Sequence, residues 1–509
     1  MIQPAAPLWI IVALFVGALA LPLVRRLSAR AVLPTALLFS TLAVAASLRT
    51  AHLVFALTEA GEGALSHHLG GWPPPWGIEL RVDNLSAVMV LLVNLLSWLV
   101  LLFSHRGLPE RLKSRAHFFY SLYLLFTMGM SGFVMTGDLF NLYVFLEVIA
   151  LTGYALVAVG DPEAPFAAFR YVIIGTLGAA FYLLGLAYLY GLTGSLNFVD
   201  VARQVALLEG PEAQRALLVA LAFLVTGFGI KAALFPLHAW LPDAYAYSPN
   251  VTTALMGAVG IKMGAYGIFR VLYTLYRVGP AGDYSAVLDL MGWLSALAII
   301  IGSLLAIAQT DLKRMLAYSS VSQIGYVLLG FSLANDDGLT GGVLHMINHA
   351  VMKCALFMVT GAIVTRLGHR DIRRFDGLGR HLPFTMAAFG VASLSMVGIP
   401  PTAGFFSKWY LVLGAVEGGR WPFVIIILAS SLLNAIYFFR ILERAFFKER
   451  VDPTPTEAWV SKIKPLPGTM LLPVGVATLA ILILGLGSFP IVEHVIGPIV
   501  RPALGLILP

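Results

Sequence analysis

Apolar residues gather along the chain in about 14 long runs, beginning near 8, 31, 84, 117, 138, 167, 215, 251, 287, 315, 341, 384, 422 and 470, with charges or Gly/Pro clusters between them. A helix needs about 20 such residues to cross the hydrocarbon core of a bilayer. Only helices or closed barrels satisfy every backbone N–H and C=O there, and the runs lack the short in-out alternation of barrel strands. The pattern therefore predicts an all-α polytopic membrane protein of about 14 helices. The longest polar intervals, 192–214 and 448–468, have room only for short amphipathic helices. The stretch from Glu59 to Asp83, with GGWPPPWG inside it, is too proline-rich for a helix at its centre, and its His67 and His68 are expected to be solvated rather than metal ligands. Leu8 to Val24 is long enough to span and is followed by Arg25, Arg26 and Arg30, so it reads as a membrane helix rather than a cleavable signal.

Two runs break their own pattern. The seventh, FLVTGFGIKAALFPLHAWLPD from Phe223 to Asp243, carries Lys231 deep in apolar sequence and Pro236 five residues later. A charge at bilayer depth costs roughly 2.5–3.5 kcal/mol on insertion scales, so it normally faces protein or water and marks a function. The proline frees backbone carbonyls that other groups must satisfy. His238 follows Lys231 by seven residues, which on a continuous helix returns it to the same face. Lysine, broken helix and histidine together suggest a proton site; a lysine snorkelling from a helix end is the plainer alternative. The twelfth run, SMVGIPPTAGFFSKWYL, repeats the theme with Pro400, Pro401 and Lys408. Two interrupted helices five apart, each with a lysine, are the mark of inverted repeats. The expected plan is one membrane domain, 1–509: helices 1–3 in 1–116, a first repeat of helices 4–8 in 117–278, a second of helices 9–13 in 287–446, and a last helix in 447–509.

Other ionisable residues fall inside these runs. Helix 5, GDLFNLYVFLEVIAL, carries Glu147 well within it and Asp138 at its start. Glu147 is the expected partner of Lys231, favouring the ammonium when the two meet and leaving it to desolvation, and so to proton release, when they part. Asp138 either joins this chemistry or only caps the helix. Lys262, in GAVGIKMGAYGIF, is placed to pass or receive a proton. His345, His349 and Lys353 recur every four residues in LHMINHAVMKCAL, forming a stripe about 12 Å long on one helix face. Histidines one turn apart cannot take opposite axial positions on a haem, so a water-assisted proton relay is the functional reading and a satisfied buried histidine the structural one. Ser319, Ser320, Ser322 and Gln323 add uncharged polar groups that either hold water or bond neighbouring helices.

Composition agrees: 59% of residues are hydrophobic and 12% charged, against roughly 25% charged in soluble domains. The net charge of +7 does not indicate nucleic acid, because the basic residues lie in short loops. They cluster after odd-numbered helices, at Arg25, Arg26 and Arg30; Arg106, Arg111, Lys113 and Arg115; Lys313 and Arg314; Arg366 to Arg380; and Lys448, Arg450, Lys462 and Lys464. By the positive-inside rule these loops are cytoplasmic and both termini outside. The single cysteine, Cys354, excludes an internal disulfide or a cysteine-ligated cluster, and no dinucleotide fingerprint is present, so neither a cofactor nor a metal is expected.

GDLFNLYVFLEV, GFGIKAALFPLHAWLPDAY, DLKRMLAYSSVSQIGYVLLG, NHAVMKCALF and GIPPTAGFFSKWYL, in that order, resemble the antiporter-like membrane subunits shared by Mrp-type cation/proton antiporters, respiratory complex I and membrane-bound hydrogenases. The match covers most of the chain from about residue 80. GGWPPPWGIEL and the lysine at 408 are similar to the D subunit of Mrp antiporters. The resemblance implies a proton path through Glu147, Lys231, Lys262 and Lys408; the spacing read above adds His238, His345, His349, Lys353 and Asp138 as candidate relays. Gln323 stands where many complex I relatives carry histidine, which puts a direct relay in helix 10 in doubt. The expected function is a proton-translocating subunit of a multi-subunit Na+/proton antiporter in a prokaryotic plasma membrane, without redox chemistry of its own. The alternative is a pumping subunit of a redox-driven complex. A cysteine introduced near Arg373 should react with a membrane-impermeant thiol reagent only from the cytoplasmic side; labelling from outside alone would reverse the orientation.

Overall fold

The structure is a computed structural model describing residues 5–61, 63–279, 284–448 and 466–505; most of the 448–468 interval, expected to hold a short helix, falls outside them. In chain order the helices are α1 (Ala6–Leu27), α2 (Val32–Glu59), α3 (Asn84–Gly107), α4 (Ala116–Met135), α5 (Leu139–Ala158), α6 (Ala164–Thr193), α7 (Phe198–Val205), α8 (Pro211–Lys231), α9 (Leu241–Tyr247), α10 (Asn250–Leu255) and α11 (Ile261–Phe269). They continue as α12 (Ser285–Ile307), α13 (Leu312–Leu333), α14 (Asp336–Leu367), α15 (Leu378–His381), α16 (Pro383–Val397), α17 (Ala403–Glu417), α18 (Trp421–Phe446), α19 (Gly468–Leu486), α20 (Ser488–Ile491) and α21 (Gly497–Ala503). Among the described residues thirteen helical stretches are long and apolar enough to span a membrane, counting Asn250–Leu275 as one. The interrupted pair α16–α17 supplies a fourteenth segment, so the fold is the expected polytopic helical bundle. The amphipathic α7 lies where a short helix was expected, burying Phe198, Val201, Ala202 and Val205 along one stripe.

One element is not helical. Strands β1 (Leu65–His68) and β2 (Glu79–Val82) pair antiparallel, with Leu65 opposite Val82 and His68 opposite Glu79. The prolines between them exclude a helix, as expected, but the flanks pair with each other because extended backbone must place its N–H and C=O groups somewhere. His67 and His68 are thereby half-buried rather than solvated.

Burial separates centre from rim. The stretch Asn250–Leu275 has 94% of its apolar window buried, α13 89% and α14 83%, against 28% for the α2 region and 33% for α1 and α19. The rim faces remain apolar, with Leu23, Phe166, Leu432 and Leu472 exposed, as a lipid-facing surface requires. α14 packs on α3, α10, α13, α16, α17 and α19, making it the central post.

Both expected breaks are present. α8 ends at Lys231; Ala233 takes a left-handed φ of 55° before Pro236. The carbonyls freed there are used, since Trp240 Nε1 donates to Ile230 O at 2.9 Å and Leu234 N to Gly229 O at 2.9 Å. α9 resumes the helix and is pinned by Asp243, which binds Arg170 at 2.6 Å and also Arg314. α16 ends at Val397, and Gly398, with a φ of 93°, turns the chain into Pro400 and Pro401 before α17. Asn250–Leu275 is itself irregular, with wide π turns at Met256–Gly260 and Arg270–Leu275.

At one end of the bundle a bidentate pair closes the core. Arg270 Nη1 and Nη2 donate to Asp83 Oδ2 and Oδ1, both at 2.6 Å; Nη2 also reaches Ser86 Oγ at 2.7 Å, and Nε reaches the Tyr266 hydroxyl at 2.8 Å. Burial alone would raise the Asp83 carboxyl, but the guanidinium, its hydrogen bonds and the Ser86 amide hold it at about 2. A depressed carboxylate contributes stability that is present above its ordinary value and lost as pH falls through the folded one. Arg270→Met leaves Asp83, a third of whose side chain is exposed, with only the Ser86 amide, and should cost about 1.5–3 kcal/mol, read as a lower unfolding midpoint at pH 7 whose difference from wild type shrinks toward pH 2. An unchanged midpoint would show that the pair is not needed.

Candidate functional site

The wide turns, the two breaks and the central post bring four lysines and two histidines into the interior. Lys262, His345, His349 and Lys353 have no exposed surface, while Lys408 is 6% and Lys231 9% exposed. None of the four ammonium groups forms an ion pair with a carboxylate among the described residues; backbone carbonyls and hydroxyls take that place. Lys262 Nζ donates to Gly257 O at 2.6 Å within the first wide turn. Lys353 Nζ donates to Leu316 O at 2.8 Å and to Ser319 Oγ at 2.9 Å. Lys408 Nζ reaches back to the last carbonyls of α16, Met396 O at 2.9 Å and Val397 O at 3.1 Å, and to Ser431 Oγ at 3.2 Å, while lying 4.7 Å from the centre of the Tyr326 ring. The break in α16–α17 thus leaves unpaired carbonyls at a negative dipole end, where a cation is favoured.

Lys231 differs. Its Nζ has no hydrogen-bond partner and lies 5.9 Å from the centre of the Tyr154 ring. A cavity of about 20 Å³ lies beside it, bounded by Phe126, Ile149, Trp240 and the residues on either side of Lys262, Ile261 and Met263. That volume is enough for one water molecule beside Lys231. Glu147 is half-buried on α5. It makes no ion pair with Lys231 but is close enough to act on it, and on Tyr154, electrostatically.

The stripe on α14 is present and its members differ in their surroundings. The His345 and His349 rings lie 6.1 Å apart at 10° to one another. His345 is held at both nitrogens, Nδ1 by Ser407 Oγ at 2.8 Å and Nε2 by Gln323 Oε1 at 2.9 Å. Gln323, expected to weaken a helix-10 relay, is therefore the residue that orients His345, and Ser407 places that ring beside Lys408. Both nitrogens of His349 are buried without a partner. A fully buried imidazole unbonded at both ends is uncommon and calls for water or for movement; Lys262, Lys353 and His345 are all within electrostatic reach of it.

Two expected relays sit elsewhere. Because α8 ends at Lys231, the seven-residue helical spacing that would align His238 with it does not exist; the His238 ring packs on Phe235 and Tyr318 in the non-helical link. Asp138 caps α5, accepting from Asn141 N at 2.6 Å, which is the local role an acid at that position was also expected to fill. The sequence reading passed over Asn434 and Tyr437 of α18, both fully buried beside Lys408 and Lys353. Their signal was a buried polar stripe at helical spacing, Ser430, Asn434 and Tyr437, on one face of α18.

Residues 136–434 match the family model described as NADH:quinone oxidoreductase/Mrp antiporter, TM. The chain belongs to this family. A further match, NADH-Ubiquinone oxidoreductase (complex I), chain 5 N-terminus, covers residues 75–119. The chain is 45% identical to NADH-quinone oxidoreductase subunit N of Desulforudis audaxviator over 84% of this chain and 86% of that one. It is 31% identical to the D subunit of the Na(+)/H(+) antiporter of Alkalihalophilus pseudofirmus over 84% of each. Its fold superposes on a chain of the Mrp complex from Dietzia sp. DQ12-45-1b with a TM-score of 0.86 and 26% identity, covering 99% of this chain and 98% of that one. In this member of the family, then, buried lysines on α8, α11, α14 and α17 are strung between broken helices.

An arginine in place of any of these lysines keeps a charge but cannot give up its proton. Lys262→Arg should therefore abolish proton movement in vesicles holding the assembled complex, and wild-type flux in that variant would make Lys262 a fixed charge.

Proposed function

We propose that this chain is the proton-translocating subunit of a multi-subunit membrane complex, with protons moving along Glu147, Lys231, Lys262 and Lys408 through the His349 and His345 stretch. The observation that carries the reading is the row of buried ammonium and imidazole groups without carboxylate partners, two of whose members, Lys231 and His349, have no protein hydrogen bond. A purely structural buried cation would be paired. When Glu147 and Lys231 are apart, as here, desolvation favours passing the proton inward; when they meet, the ammonium is favoured.

The coupled process in this proposal is exchange of protons for a monovalent cation, Na+ in the first instance, supported by the likeness to antiporter D subunits. The second reading, a pump driven by redox chemistry elsewhere in the complex, is favoured by the 45% identity to an NADH-quinone oxidoreductase subunit N. The two share the path and differ in what drives it. The membrane proposed is the prokaryotic plasma membrane, with both termini outside. The partners proposed are other membrane subunits, since the path lies wholly in the bundle and needs an energy source beyond it.

Glu147→Gln should reduce proton movement about a hundredfold or more in an assembled complex, the scale of a lost proton-transfer group. In vesicles holding the whole complex, a sodium gradient alone should drive proton flux. Flux that appears only with a reductant and quinone would select the redox reading, and a normal rate in Glu147→Gln would remove Glu147 from the path.

A further inference from the structure

The path described above leaves Lys353 without a task. It lies one turn beyond His349, fully buried, and among the described residues the one side chain that hydrogen-bonds it is Ser319 of α13. From that contact a second set of hydrogen bonds leads away from the histidines. The Tyr437 hydroxyl lies 3.1 Å from Ser319 Oγ and 2.7 Å from Asn434 Oδ1. Asn434 Nδ2 donates to Met396 O at 3.3 Å, the same carbonyl that Lys408 Nζ uses at 2.9 Å. The Asn434 oxygen is shared with Ser303 at 3.4 Å, and Ser303 touches Ser430 at 3.1 Å and Ser322 at 3.0 Å. Every side chain in this set except that of Lys408 has no exposed surface.

We propose that Tyr437 is a positioning residue that couples the proton on Lys353 to the proton on Lys408. This rests on the proton reading given above and adds a branch to it. The Tyr437 hydroxyl has one hydrogen and two acceptors. When Lys353 is an ammonium it donates to Ser319 Oγ, and the Tyr437 hydrogen goes to Asn434. When Lys353 is neutral its lone pair takes the Ser319 hydrogen, the Ser319 oxygen accepts from Tyr437, and Asn434 loses a donor. The amide then holds Met396 O differently, and that carbonyl is one of three groups binding Lys408. No bond between heavy atoms is made or broken; hydroxyl hydrogens reorient, and the one N–H bond broken is that of the Lys353 ammonium, whose proton passes to the neighbouring His349 imidazole of the proposed path. The device works because the set is fully buried, where an unmet acceptor is costly.

Tyr437→Phe keeps the ring and removes the hydroxyl. In the assembled complex in vesicles it should lower proton flux about fivefold, on the scale of one hydrogen bond. Ser319 supplies the test that packing alone does not predict. Ser319→Thr keeps the hydroxyl while adding bulk and should run near the wild-type rate, whereas the smaller Ser319→Ala should fall with Tyr437→Phe. Should either Tyr437→Phe or Ser319→Thr fail to assemble, the other measurement decides. Wild-type flux in assembled Tyr437→Phe, or Ser319→Ala outrunning Ser319→Thr, overturns the proposal. Lys408→Ala serves as the control: if that variant transports normally, the proton reading itself fails, whatever Tyr437 does.

Discussion

The constraint on which this structure turns is that a bundle built for lipid has to hold cations in its interior without acids to pair them. Moving an ammonium from water into a low-dielectric core costs several kcal/mol even after relaxation. Salt bridges would offset part of that and also fix the charge in place. This chain uses helix carbonyls instead. Gly257, Leu316, Met396 and Val397 each offer an oxygen to a lysine. Gly257 lies in a wide turn and Met396 and Val397 at a break, where carbonyls are left free, so these irregular places let the interior tolerate Lys262 and Lys408; Leu316 shares its oxygen from within α13.

The remainder of the fold holds these irregular places still. Irregular backbone at membrane depth survives only where protein or water covers it; the wide turns lie in the most enclosed stretch, Asn250–Leu275, while the two breaks bury their lysines and leave Pro236, Pro400 and Pro401 at the surface of the chain. α9, the far half of the first broken helix, is tied by Asp243 to Arg170 of α6 and Arg314 of α13. Nearby, Arg370 binds Asp161 at 2.9 Å and also Asp311, and donates to Ala246 O at 2.5 Å. These pairs stand at the ends of spans, where carboxylates stay partly solvated, and leave the interior to neutral partners. The division of charge between ends and interior is what allows the interior groups to change protonation without dismantling the fold.

Much of this was legible in the sequence for a physical reason: hydropathy and proline act locally. The fourteen segments, the breaks near Pro236 and Pro400, and the stripe of His345, His349 and Lys353 follow from spacing along a single chain. What required the folded molecule was every statement about how two segments meet. The alignment of His238 with Lys231 assumed a helix that the break abolishes, and the cap that Asp138 makes on α5 is a hydrogen bond that only the structure supplies. The strand pairing around GGWPPPWG depends on residues that approach each other across a loop. Asn434 and Tyr437 drew no notice because a polar residue in one helix has no meaning until its neighbours are known, and theirs come from α13, α14 and α16.

The central claim is that a buried lysine in this bundle gives up and regains its proton during turnover. It is tested most directly by nitrogen-15 solid-state NMR of lysine side chains in the complex in bilayers, with the Lys231 signal assigned by its loss in Lys231→Met. Under an imposed ion gradient the account predicts that this resonance exchanges between ammonium and amine positions. A Lys231 resonance that stays at the ammonium position while protons are being carried would contradict it.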